Sequence, residues 1–252
     1  MTMGAQIRSE LRKVLATRLA LGLLLGAVAI AVLALGVTLW GPTTPGMEAQ
    51  GVPTSLATTD DVLALLGVTS VVAVFALVFG VTFATAEFRH QTAATTFLSE
   101  PRRWIVLVAK AVTAAVVGVV YALATLAVAM AMLLAYAQVE SVSLPMGADV
   151  WTFLAMSVLA VAVNAVLGVG VGAALRSQVG AIVAVLVWLF VVESLVAGLV
   201  PSVARWTPFA AGNAMTVLDG DMGVGVATAV AVGYALAAIA AGTWLTERRD
   251  AT

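Results

Sequence analysis

The chain of 252 residues contains no cysteine, which excludes a disulfide framework and any thiolate metal site. It has one histidine, His90, and a single imidazole cannot make a His-pair metal site. Its only lysines are Lys13 and Lys110, and neither closes the GxxxxGK[ST] loop that cradles phosphates. HExxH and GxSxG are absent too. The chain is therefore expected to be no enzyme, to hold no metal or cofactor, and to bind no ATP through a motif of its own. Charge is scarce as well, at 10% of residues against ~25% in an average soluble domain. The few basic groups flank apolar runs or alternate with acids, so nucleic-acid binding is not expected.

Apolar residues, in contrast, make up 62% of the chain, and the mean hydropathy is +1.11. So few charges cannot cover so much apolar surface in water, and the natural solvent is lipid. A helix crosses a hydrocarbon core of ~30 Å with about 20 residues. Six stretches are long enough, at about 19–40, 62–86, 105–137, 150–175, 179–200 and 223–245. Strand-like alternation over ~10 residues, the mark of a membrane barrel, is missing. The fold class expected is an all-α membrane protein, one transmembrane domain over 1–252. The first apolar stretch exceeds the ~7–15 residues of a signal peptide, so it is taken as a retained span.

Eleven of the twelve basic residues fall at the N-terminus, around the second connection, in the fourth and after the last span. The other connections carry Arg205 alone, with Glu48, Asp60, Asp61, Glu140, Asp149, Asp219 and Asp221. By the positive-inside rule both termini are expected to be cytoplasmic. In residues 1–18, Ile7, Leu11, Val14, Leu15 and Leu19 recur at helical spacing with Arg8, Glu10, Arg12 and Lys13 elsewhere around the helix. This predicts an amphipathic helix lying in the inner headgroup region. The first outer loop, rich in Pro and Gly, reads as irregular.

Glu193 is the strongly polar residue of the fifth span, ~21 Å of helical rise from its start, and intramembrane acids are functional candidates. It stands either in a substrate path or at the outer boundary, holding the apolar, proline-broken stretch 196–215 in two short re-entrant helices. Asn164, inside the fourth span, needs a hydrogen-bond partner and is expected to face another helix, as structural glue or as a substrate contact. Gly22–Gly26 and Gly168–Gly172 have the GxxxG spacing that lets helices approach closely.

Residues 87–104, EFRHQTAATTFLSEPRRW, form a polar island between the second and third spans. Phe88, Thr92, Thr95 and Thr96 share one side of a helix, and Pro101 ends it. Eighteen residues is long for a plain connector, so the island reads as a docking surface. Glu87-Phe88-Arg89-His90-Gln91-Thr92, followed by Phe97-Leu98, Pro101, Arg103 and Lys110, resembles the cytoplasmic signature of type-2 ABC exporter permeases. That pattern is approximately E-(Y/F)-R-x-G-T, a hydrophobic pair, P-x-R and a later lysine; Gln91 departs from it where glycine is usual. The resemblance implies that residues 87–101 are a coupling helix, with Glu87, Arg89, Thr92, Thr95, Phe97, Leu98, Pro101 and Arg103 docking a separate ABC ATPase. It further implies two ATPase copies using ATP and Mg, a second copy of this permease or a related one, and a bacterial cell membrane. An ion-coupled secondary transporter and a non-transporting immunity or assembly subunit remain alternatives.

Overall fold

In the computed structural model, residues 3–40, 56, 58–89, 102–218 and 220–248 are described. Among them the regular structure is helical. It runs α1 (Met3–Ala16), α2 (Arg18–Trp40), α3 (Thr59–Gly67), α4 (Val72–Arg89), α5 (Arg103–Glu140), α6 (Ala148–Leu175), α7 (Gln178–Val187), α8 (Glu193–Leu199), α9 (Pro201–Ala204), α10 (Pro208–Ala214) and α11 (Val224–Arg248). A 3₁₀ turn at Val68–Val71 joins α3 to α4, and a π turn at Trp188–Val192 joins α7 to α8. Among the described residues six helical segments are long and apolar enough to span a membrane: α2, α3–α4, α5, α6, α7–α8 and α11.

Local chemistry sets the ends of these helices. Thr58 caps α3 in a reciprocal box: its hydroxyl accepts from the Asp61 amide, and the Asp61 carboxylate accepts from the Thr58 amide. Ser141 and Arg176 close α5 and α6 in the left-handed conformation, and the Ser177 hydroxyl then accepts from the Gly180 amide to start α7. Pro201 and Pro208 open α9 and α10 at positions where a missing N–H costs nothing. The expectation that both prolines interrupt the chain takes this form.

α6 is the centre of the bundle. It packs against α4, α5 and α11, and over half of its apolar window is buried. α2, α7–α8 and α11 are peripheral, with 17%, 11% and 17% of theirs buried. Of the two GxxxG stretches, only the second makes a double close approach. A Cβ on Gly168 would overlap the Leu77 carbonyl, and one on Gly80 the Ala165 carbonyl, so α4 and α6 meet backbone to backbone. Gly22 has nothing within 4 Å, and Gly26 meets only the Phe75 ring.

Two boundaries differ from the sequence expectation because helices continue past the apolar residues. Glu87 and Arg89 belong to the last turn of α4, and Arg103 begins α5, so these ends of the island are helical extensions of spans. α1 turns Gln6, Glu10 and Val14 inward, whereas Leu15 is exposed. Polar groups thus face the bundle, and the physical reason is a set of opposite charges waiting there.

Candidate functional site

Lys110 lies two turns into α5, at 3% exposure. It stays close to the second connection, as an interior cation. Its Nζ donates to Glu10 Oε2 at 2.7 Å and to Glu87 Oε1 at 3.0 Å. Lys13 Nζ donates to Glu10 Oε1 at 2.5 Å and to the same Glu87 oxygen at 2.7 Å. Two acids and two bases therefore close a neutral quartet that ties α1, α4 and α5 together. Lys110 also stands 4.6 Å from the centre of the Phe83 ring, which suits a cation.

Glu10 is fully buried, and Lys13 is the member open to solvent. Burial pulls the Lys13 ammonium down, but the hydrogen bonds and charges of Glu10 and Glu87 outweigh it and hold its pKa above the usual lysine value. Buried charges of this kind are tolerable only as a complete set, because each ion's lost hydration has to be replaced by its partners.

Further polar contacts join helix ends. Arg89 Nη1 donates to Gln178 Oε1 at 3.0 Å, joining the end of α4 to the start of α7. Arg103 Nη1 donates to the Thr246 carbonyl oxygen, and Arg176 Nη2 reaches the same oxygen at 3.2 Å. The Thr246 carbonyl, in the last turn of α11, thus receives two of the cations that a helix C-terminus favours. Arg176 also lies over Phe88, its guanidinium carbon 5.2 Å from the ring centre. An open groove of about 520 Å³ runs beside these groups, lined by Phe88, Arg89, Arg176, Gln178 and Ile182 among others.

Of the residues expected to form the docking surface, Glu87, Arg89 and Arg103 are thereby placed on the two helices that flank the island. Thr92, Thr95, Phe97, Leu98 and Pro101 lie outside the described residues. Glu193 accepts hydrogen bonds from the Trp188 indole N–H at 3.2 Å and from the Phe209 amide at 3.0 Å. It therefore clamps the first turn of α10 to the fifth span. The side-chain amide of Asn164 donates to the Ala160 carbonyl of its own helix, so the expected bond to a neighbouring helix is not made among the described residues. Among the described residues no group of three or more acidic or histidine side chains is placed to hold a metal ion.

The sequence places Glu10 and Lys13 on the polar side of an amphipathic helix and not in a site, and Lys110 at a motif position. Each carried a signal. Glu10 is an acid within an otherwise basic face, three residues before Lys13, and Lys110 is an ionisable residue six positions into an apolar run. Their convergence needed the fold, since 74 and 100 residues separate the partners. No protein-family model and no curated relative matches this sequence.

Proposed function

We propose that this chain is the membrane-spanning permease subunit of an ATP-driven exporter, docked by separate ATPase subunits on the segment between α4 and α5. The observation that carries the reading is the charge quartet. Glu87 leads into that segment, Lys110 follows it, and both are locked to Glu10 and Lys13 of α1. A push on residues 90–101 would pass directly into the second and third spans and the N-terminal helix, because all three share ions that none can release without leaving a buried charge unpaired.

In this reading α1 lies at the inner membrane surface and both termini are cytoplasmic in a bacterial cell membrane. α9 and α10 are short re-entrant helices in the outer leaflet, held there by Glu193. A second permease copy covers apolar surface of the peripheral spans, such as Val179, Val183, Phe190 and Leu195 on the fifth. Two ATPase copies, using ATP and Mg, close on nucleotide and rock the bundle between inward and outward access. The engagement of Glu193 with Trp188 and Phe209 favours its holding role over a place in the cargo path.

The second reading, a carrier driven by an ion gradient, has one observation in its favour: a buried ionisable cluster is what a proton relay requires. All four groups are mutually paired and neutral as a set, which favours a structural tie.

The absence of cysteine permits a direct test. A single cysteine at Thr95 is reconstituted with a candidate ATPase carrying one cysteine in its docking cleft. A crosslink whose yield depends on nucleotide is expected. Intact, membrane-inserted protein that fails to crosslink to any of several cleft positions would remove the ATPase from the proposal.

A further inference from the structure

A small cavity of about 30 Å³ opens where the 3₁₀ turn of the second span meets α5, α6 and α10. Its polar wall is made by Thr69, Ser70, Ser157, Asn164, Asn213 and Thr216, and among the described residues no charged side chain lines it. Asn164 is at the buried end, with 5% exposure, whereas Ser70 and Asn213 are exposed at the mouth. Ser70 is eleven residues into the second span and Asn164 sixteen into α6, so the cavity sits well inside the apolar zone.

The hydrogen bonding of this wall is lopsided. The Asn164 amide atom 2.9 Å from the Ala160 carbonyl oxygen must be the nitrogen, since a carbonyl oxygen only accepts. Its Oδ1 is then the other atom, and that oxygen is buried without a hydrogen-bond partner among the described residues. The Thr69 hydroxyl spends its proton on the Leu66 carbonyl at 2.7 Å, and the Thr216 hydroxyl on the Asn213 carbonyl at 2.8 Å. The Thr69 and Thr216 protons are spent, and Asn164 Oδ1 is the buried acceptor of this wall that stays unmet. A buried acceptor left unmet inside a bilayer is costly, because no bulk water reaches it.

We propose that this cavity is a binding site for the O–H or N–H end of a neutral, elongated amphipathic molecule, with Asn164 Oδ1 accepting the ligand's hydrogen bond. Neutrality follows from the uncharged wall, which offers an ammonium or a carboxylate no counter-ion. The volume admits a single polar group, on the order of one water, so only the tip of the ligand enters. Leu66, Leu126 and Phe153 are among the apolar residues of the lining and would meet its first carbons. Ser70 and Asn213 flank the opening through which the rest of the chain leaves. Binding needs no ATPase and stands apart from the exporter reading; within that reading, the site identifies the end of the cargo that is recognised.

The test uses Ser157→Cys as the only thiol in the chain, in lipid nanodiscs, with its modification by methyl methanethiosulfonate followed over time. 1-Dodecanol is expected to slow modification several-fold, and dodecane at the same mole fraction to leave it unchanged. In the Asn164→Leu background, which keeps the bulk and removes the acceptor, the alcohol should lose its effect. Equal slowing by alcohol and alkane would overturn the proposal, since the cavity would then be an apolar crevice. Ready modification that the alcohol does not slow would overturn it too, the oxygen being met by water alone. A thiol that never reacts would show a closed interior and be equally fatal. Should Asn164→Leu not fold, Asn164→Ala replaces it, and the comparison of alcohol with alkane decides without either variant.

Discussion

Lys110 keeps two carboxylates within hydrogen-bond reach and almost no water, so its removal is costly in a specific way. Lys110→Met leaves Glu10 buried with Lys13 as its remaining partner among the quartet, and a loss of about 3–5 kcal/mol is expected for breaking a buried ion set. The thermal midpoint in detergent, read by tryptophan fluorescence, should fall sharply. Combining Lys110→Met with Glu87→Gln should recover part of it, because charge balance is restored. A double variant no better than the single would refute the charge account. The pH dependence has a definite sign. Lys13 has a raised pKa in the folded protein, so its contribution is fully present below the ordinary value of 10.5 and is lost as pH rises through the folded value. A spin label at Leu15→Cys, on the outward side of α1, should keep one mobility from neutral pH to about pH 10 and loosen only above that.

At the scale of elements, the two glycine pairs make opposite predictions although their spacing is the same. Gly168→Val places a side chain against the Leu77 carbonyl, where backbone on both sides prevents relaxation. It is expected to cost at least the ~1–3 kcal/mol of ordinary overpacking, and to reduce the monodisperse fraction on size exclusion. Gly22→Ala meets nothing and should be neutral or stabilise α2 by roughly 0.5–1 kcal/mol. The same scale governs α10. Glu193→Gln keeps the shape of the clamp while removing its charge, whereas Glu193→Ala abandons the Phe209 amide. Proteolysis or hydrogen exchange of residues 208–214 should therefore accelerate more in the alanine variant.

At the scale of the whole molecule, the quartet gathers at one end of the bundle, and the connection 141–147 lies at the other end of α5. If the excess of basic residues marks the cytoplasmic side, a cysteine at Met146 should react with an impermeant maleimide on intact cells. A cysteine at Ala5 should react only after permeabilisation. The reverse pattern would invert the orientation and place the segment 90–101 out of reach of any cytoplasmic ATPase.

The six spans were legible in the sequence because each is long enough to cross lipid by itself, and composition alone demands that solvent. Their boundaries came within a few residues, drifting where helices extend into polar ends, as at Glu87–Arg89 and Arg103. The two short helices after the fifth span were legible for a similarly local reason, since Pro201 and Pro208 restrict their own backbone. The candidate site was half legible: Glu87, Arg89 and Arg103 stood out as a polar island, but their partners did not. Only tertiary structure decided that Glu10 and Lys13 turn inward to meet Lys110, and that Gly168 rather than Gly22 brings two backbones together. Hydrophobic length is a property of one segment and can be read along the chain. Which charges must be buried together depends on helices far apart in sequence, and that is settled by the packing that removes water from between them.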